Sequence, residues 1–178
     1  GESTWSGLPC VFVRLAGCNL RCTWCDSEFT FTGGEHRSIP DVVEEACSSG
    51  IEVVEVTGGE PLAHRQSIKL MDELLKRGKT VLLETSGSID IATVPKGVHV
   101  IMDIKCPDSG EVDSNLWSNL DHLDDRSEIK FVLASEKDYL WAVEVCREHQ
   151  LIENHEVLFS PVHGSMDPAL LVDWMLRD

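Results

Sequence analysis

Six short apolar segments alternate with helical patterns along this chain of 178 residues, and the alternation constrains the fold more than any other feature. Strands are predicted over 10–16, 52–57, 80–85, 98–104, 129–134 and 156–160, and the second of these is rich in β-branched residues. Helices are predicted over 40–48, 66–77, 136–149 and 167–176, with a short helix or irregular segment over 113–123. Strands that alternate with helices form right-handed βαβ units and a parallel sheet. Six strands therefore predict an α/β fold, a partial (β/α)6 barrel, in one compact domain spanning 1–178.

Composition and charge exclude several classes of protein. The chain carries 15 basic and 31 acidic residues, a formal net charge of −16, which argues against a nucleic-acid-binding surface. No apolar run approaches the roughly 18 residues of a membrane span, and no secretory signal opens the chain. Seven cysteines, three of them clustered, argue against a disulfide framework and for a reducing compartment, the cytoplasm.

The clustered cysteines are Cys18, Cys22 and Cys25, at spacings of four and three residues. They follow the first strand directly, so the sheet would hold them at its carboxyl edge, where α/β folds keep their chemistry. A structural zinc site closes with four ligands, and no second cysteine or histidine pair stands at a suitable spacing. A [4Fe–4S] cluster bound by three cysteines would leave one iron open to a small molecule. An iron–sulfur enzyme and a zinc-binding interaction module are therefore the competing interpretations.

This spacing, with Trp24 just before the last cysteine, resembles the signature of the radical S-adenosylmethionine (SAM) superfamily. Gly58-Gly59-Glu60-Pro61, at the end of the second strand, resembles the superfamily's GGEP motif. The resemblance implies that Cys18, Cys22 and Cys25 bind a [4Fe–4S] cluster whose open iron binds SAM. The cofactor contacts that it implies are Trp24, Cys25, Asp26, Gly58, Gly59, Glu60, Glu84, Ser86, Asp103, Lys105 and Ser160.

Within the superfamily, the chain resembles the 7-carboxy-7-deazaguanine synthases. The resemblance rests on residues 1–2, 7–9, 11–15, 18–26, 57–61, 129–132 and 160–162. It implies that 6-carboxy-5,6,7,8-tetrahydropterin loses a hydrogen from C6, that its ring contracts, and that ammonia leaves while SAM is regenerated. The product would be 7-carboxy-7-deazaguanine, an intermediate of 7-deazapurine and queuosine biosynthesis.

The same resemblance implies substrate contacts at Gly1, Glu2, Arg14 and Thr57. Arg14 would bind the pterin carboxylate bidentately, and a structural ion pair is the alternative. Glu2 would accept hydrogen bonds from the pterin's guanidine-like edge unless it is an exposed terminal carboxylate. The family also uses Mg²⁺, bound by a threonine where this chain has Ser27, whose hydroxyl keeps the oxygen ligand.

Partners are expected only by resemblance: a flavodoxin or ferredoxin as reductant and a second copy of the chain in a homodimer. Family members also carry a stretch before the position of Gly1 and a histidine-bearing strand after the last helix, and neither is expected within 1–178. A glycyl-radical activase would share the cysteines and the GGEP motif but has no need for Arg14, Glu2 or a magnesium ligand.

Overall fold

The sheet is parallel throughout, with its six strands in chain order. The structure, a computed structural model, describes residues 3–178; Gly1 and Glu2 lie outside the described residues. The strands are β1 (Cys10–Leu15), β2 (Val53–Gly58), β3 (Thr80–Thr85), β4 (His99–Asp103), β5 (Glu128–Leu133) and β6 (Glu156–Pro161). Every neighbouring pair is parallel, and the order β1-β2-β3-β4-β5-β6 does not close on itself. The predicted partial barrel is therefore confirmed.

The helices follow the strands as the sequence predicts. They are α1 (Ile39–Ser48), α2 (Ser67–Lys76), α3 (Glu136–Glu148), α4 (Leu151–Asn154) and α5 (Pro168–Met175). Ser38, Ser135 and Asp167 cap α1, α3 and α5 by accepting hydrogen bonds from backbone N–H groups of the first turn. The short helix α4 was not predicted, and the ambiguous segment 113–123 forms 3-10 turns, Val112–Ser114 and Trp117–His122. None of the helices in the described residues is long and apolar enough to cross a bilayer.

The two faces of the sheet differ in chemistry because strand side chains alternate between them. Val54 and Val56 of β2 pack with Leu70 and Leu74 of α2 in the main core. The opposite, concave face carries Val53, Leu82 and Ile101 near its amino end. Towards the carboxyl ends of the strands the concave face turns polar, and this change is what creates room for a site.

The amino end of the concave face is closed by the turn Ser3–Trp5. The Glu128 carboxylate, 1% exposed, accepts hydrogen bonds from Thr4 N at 3.1 Å and Thr4 Oγ1 at 2.6 Å, and it also contacts His99 Nε2 at 2.7 Å. Trp5 packs edge-on against His99 at 5.5 Å and covers the apolar residues of the concave face. Burial alone would raise the pKa of Glu128, but the hydrogen bonds from Thr4 and His99 outweigh it and lower that pKa.

Candidate active site

One cavity of about 660 Å³ lies at the carboxyl edge of the sheet, within the 300–1,000 Å³ typical of ligand pockets. It is lined by residues from the carboxyl ends of all six strands and from the cysteine loop, as the parallel topology requires. Nearly all of the predicted site residues line it: Arg14, Cys18, Cys22, Trp24, Cys25, Asp26, Ser27, Thr57, Gly58, Gly59, Glu84, Ser86, Asp103, Lys105 and Ser160. Glu60 lies outside this lining, and the predicted contacts of Gly1 and Glu2 fall outside the described residues.

The cysteine loop is held against the segment that follows β4. The backbone N–H of Thr23 donates to the Ser109 carbonyl at 2.9 Å, and that of Arg21 donates to the Glu111 carboxylate at 2.6 Å. The segment itself is fixed by Asp138, fully buried, which accepts from the backbone N–H groups of Asp108 and Ala134. The loop is thus supported from outside, by residues that do not reach the cavity.

The three thiols suit a multi-iron cluster. All three cysteines are free, half-buried and on the cavity wall. Among residues 3–178, no three His, Cys, Asp or Glu side chains stand close enough to hold a single metal ion. A cubane cluster does not need such closeness, because each thiolate binds a different iron. The donor set therefore fits a [4Fe–4S] cluster better than the alternative zinc site.

Cys22 lies in a charged environment. Burial is the largest cause of its raised pKa, and the nearby Lys105 opposes that shift. The thiol must lose its proton to bind iron, so cluster assembly would be coupled to proton release. The Lys105 cation beside it favours the thiolate form that iron requires.

The glycines of the GGEP motif allow two loops to lie against each other. A methyl group added to Gly58 would come 2.1 Å from the Leu15 carbonyl oxygen, and one added to Gly59 would come 2.2 Å from that of Gly17. Backbone hydrogen bonds from Gly59 to Leu15 and from Glu60 to Gly17 join the same two loops. The glycines are therefore required first for packing against the cysteine loop.

The Glu60 carboxylate is fully buried and bonded to the protein. It accepts hydrogen bonds from Leu62 N and Thr85 Oγ1 at 2.9 Å each, and from Ser86 N at 2.8 Å and Ser86 Oγ at 2.6 Å. These hydrogen bonds show that the Glu60 side chain stabilises the loop after β3. Contact between Glu60 and the cofactor stays a prediction.

Asp103 and Lys105 form an ion pair inside the cavity. Lys105 Nζ donates to Asp103 Oδ2 at 2.7 Å, and the two side chains are only 13–17% exposed. Burial opposes the ammonium form of Lys105, but Asp103 and Cys22 outweigh it and raise the pKa of this lysine. The second oxygen, Asp103 Oδ1, is buried without a hydrogen-bond partner in the described part of the chain. Because buried carboxylate oxygens are rarely left unpaired, this oxygen points to a donor from a bound molecule.

A second ion pair joins Glu84 to Lys130, a residue that the sequence analysis did not assign to the site. Lys130 Nζ donates to Glu84 Oε1 at 2.7 Å, and Thr57 Oγ1 donates to Glu84 Oε2 at 3.2 Å. The signal was present in the sequence: Lys130 interrupts an apolar strand between Ile129 and Phe131, which both belong to the main core. Strand alternation then places the lysine on the concave face.

Arg14 lies at the cavity wall without an acidic partner among residues 3–178. Its guanidinium carbon is 5.8 Å from the centre of the Phe12 ring and 5.9 Å from that of Phe29. Such contacts hold the cation in place while leaving its N–H groups for a ligand. The structural ion pair considered as its alternative role is not formed within the described residues.

Ser27 and Asp26 place two oxygen groups next to the last cysteine. Ser27 Oγ donates to Asp26 Oδ1 at 2.8 Å, and both residues border the cavity. Hydroxyl and carboxylate oxygens are the ligands that Mg²⁺ prefers. The pair is compatible with the predicted magnesium contact, which stays a prediction.

Comparison with known proteins agrees with this geometry. The family model described as the Radical SAM superfamily matches residues 13–162. The fold is that of Streptococcus suis SuiB: the structure bound to precursor peptide SuiA has a TM-score of 0.67 at 12% identity, covering 94% of this chain and 46% of SuiB. The structure of SuiB bound to S-adenosylmethionine has a TM-score of 0.59 at 14% identity, covering 94% and 44%. The chain belongs to the radical SAM superfamily, whose members use a [4Fe–4S] cluster and SAM.

Curated relatives identify the family within the superfamily to which the chain belongs. A 7-carboxy-7-deazaguanine synthase of Koribacter versatilis is 44% identical, covering 100% of this chain and 85% of the relative. Synthases of Chlorobaculum tepidum and Methanospirillum hungatei are 40% and 37% identical, covering 100% and 93% of this chain and 82% and 69% of the relatives. The chain belongs to the 7-carboxy-7-deazaguanine synthase family and is a radical SAM lyase. These relatives favour that family over the glycyl-radical activase and the zinc-binding module.

Proposed function

We propose that this enzyme converts 6-carboxy-5,6,7,8-tetrahydropterin to 7-carboxy-7-deazaguanine with loss of ammonia, in 7-deazapurine and queuosine biosynthesis. The observation that carries the proposal is Arg14, a cation without an acidic partner among the described residues, in the same cavity as the three cysteines. A substrate carboxylate would supply the partner that this guanidinium lacks among residues 3–178. Relatives named 7-carboxy-7-deazaguanine synthase, which match the whole of this chain and most of their own length, support the same assignment.

The site divides into a cofactor side and a substrate side. The cysteines, the GGEP glycines, Asp103 and Ser160 border the cofactor side. When bound, the reduced cluster and SAM would supply a 5′-deoxyadenosyl radical. Arg14 and Thr57 are paired in register on neighbouring strands, which supports the proposal that they form the substrate side together. Glu2 would bind the other end of the pterin, and Ser27 would hold Mg²⁺ close to the carboxylate.

Residues 1–178 would form one catalytic domain, and the enzyme would work as a homodimer, the commonest symmetric oligomer. A flavodoxin or ferredoxin would supply the electron. The strongly acidic chain requires a local basic area to receive an acidic donor.

The proposal is tested by comparing Arg14→Gln with Arg77→Gln. Arg77 is an exposed arginine that pairs with Glu44 on the helical side, so it serves as a matched control. Loss of a charge-assisted bidentate contact should raise the KM for the pterin about 10- to 100-fold, with cluster content unchanged. The control should behave like the wild type. An unchanged KM in Arg14→Gln would rule out this carboxylate contact.

A further inference from the structure

The ion pair between Glu84 and Lys130 contains a lysine that the cofactor assignment leaves without a role. Both side chains are about one fifth exposed, line the cavity and approach to 2.7 Å. Thr57, a residue of the substrate side, donates to the second Glu84 oxygen at 3.2 Å. The resemblance places Glu84 with SAM, but its hydrogen bonds connect it to the substrate side.

The pair holds a carboxylate and an ammonium group side by side. Burial works against the charged form of Glu84, but the charge and hydrogen bond of Lys130, aided by Thr57, prevail and lower its pKa. Glu84 is therefore ionised at neutral pH. Within one hydrogen bond, the cavity then has a proton donor at Lys130 Nζ and a proton acceptor at Glu84.

Ring contraction with loss of ammonia needs both a proton donor and a proton acceptor. Hydrogen abstraction and rearrangement leave an isomer that still carries the departing nitrogen, and ammonia must then be eliminated to form the aromatic product. We propose that Lys130 is the general acid and Glu84 the general base of this elimination. The inference rests on the proposed function and assigns two catalytic residues to its last step.

The step balances without an oxidant. The carbon–nitrogen bond breaks, its electron pair leaves with nitrogen, and a proton from Lys130 Nζ completes ammonia. Glu84 removes a proton from the neighbouring ring carbon, and the electron pair of that carbon–hydrogen bond becomes the new ring double bond. Lys130 is then neutral and Glu84 protonated. Transfer of one proton across their 2.7 Å contact restores the ion pair without exchange with solvent.

The other cavity cations suit this step less well. The Arg14 guanidinium does not release its proton in proteins. Lys105 Nζ is bonded to Asp103 and lies near the thiol of Cys22, so it belongs to the cofactor side of the cavity. His163, exposed on the loop after β6, is the competing donor because it also lines the cavity.

The test separates hydrogen abstraction from ammonia loss in the reconstituted enzyme. Pterin deuterated at C6 is supplied with SAM, Mg²⁺ and dithionite, and two quantities are followed: deuterium transferred into SAM, and ammonia released with product. Lys130→Arg keeps a cation beside Glu84 but removes a usable proton. Label transfer should persist while ammonia and product fall about 100-fold or more, the usual contribution of general acid–base catalysis. Glu84→Gln should give the same pattern.

Controls distinguish this role from positioning. Lys69 is exposed on α2, so Lys69→Arg should change neither quantity. In His163→Gln, label transfer and product formation should change to the same extent, with no selective loss of product. Unchanged product in Lys130→Arg, a parallel loss of both quantities, or the selective loss in His163→Gln instead, would overturn the inference. Iron content and absorbance show whether each variant folds, and Lys130→Gln is the second variant if the first does not. A wild-type enzyme that consumes no pterin would instead refute the proposed function.

Discussion

Gly59 permits the loop after β2 to touch the cysteine loop, and replacing it by alanine tests how the site is built. It is the one glycine among residues 3–178 whose backbone does not need a positive φ, so its requirement is steric. In Gly59→Ala the new methyl group would lie 2.2 Å from the Gly17 carbonyl oxygen and 2.7 Å from Cys18 Cβ. Carbon–oxygen contacts need about 3.3 Å, so one loop must move by about 1 Å.

This shift has two measurable consequences. Forcing a methyl group into a packed site costs about 1–3 kcal/mol of folding free energy. Because the new methyl group displaces Cys18, a cluster ligand, the iron content after reconstitution should fall by a larger fraction than the free energy of unfolding. Anaerobic reconstitution followed by iron and sulfide analysis, together with thermal unfolding of the cluster-free protein, measures both.

Gly78→Ala is the matched control for that experiment. Gly78 has a φ of +75°, but a methyl group there meets nothing within 4 Å. Its replacement should cost about 1–2 kcal/mol through backbone strain and leave iron content at the wild-type level. If Gly59→Ala assembles a full cluster with wild-type stability, the steric account of the motif is wrong.

Three further changes test other contacts. Glu60→Gln should lower stability by about 1–3 kcal/mol, because an amide faces donors that now meet a carboxylate; urea unfolding measures it, and an unchanged midpoint would contradict the assigned role. The pKa of Glu128 is lowered by folding, so its contribution is full above the unfolded value of about 4.3 and is lost as pH falls through the folded one. Glu128→Gln should therefore show a shallower stability loss below about pH 5, and parallel curves would refute this. Ser27→Ala should lose the stimulation of turnover by Mg²⁺ while keeping SAM cleavage; retained stimulation would exclude Ser27 as ligand.

The fold could be predicted because its signals are local. Each strand contains a short apolar run, mainly β-branched in β2, and glycine, proline or serine stands at most helix boundaries. A parallel sheet brings all strand ends to one edge, so the places of Arg14, Glu84 and Asp103 near strand ends are enough to predict that they lie near the cysteines. Short elements such as α4 were missed because four residues carry too little periodicity.

Contacts across the sheet could not be predicted in the same way. The link between Lys130 and Glu84 spans 46 residues and depends on side-chain length and strand twist. The contact between Glu60 and the cofactor, implied by the GGEP motif, stays a prediction, whereas the hydrogen bonds that its carboxylate accepts from Ser86 in the loop after β3 were not predicted. Pairings of this kind depend on how distant strands are arranged in three dimensions, which local sequence patterns do not encode.

The most direct test of the central claim is a single anaerobic reaction. The chain with a reconstituted cluster is mixed with SAM, Mg²⁺, dithionite and 6-carboxytetrahydropterin, and the products are analysed by mass spectrometry. We expect 7-carboxy-7-deazaguanine and ammonia in equal amounts, with SAM regenerated rather than consumed. Formation of 5′-deoxyadenosine and methionine without the deazaguanine would contradict the substrate assignment, and failure to bind iron would contradict the site itself.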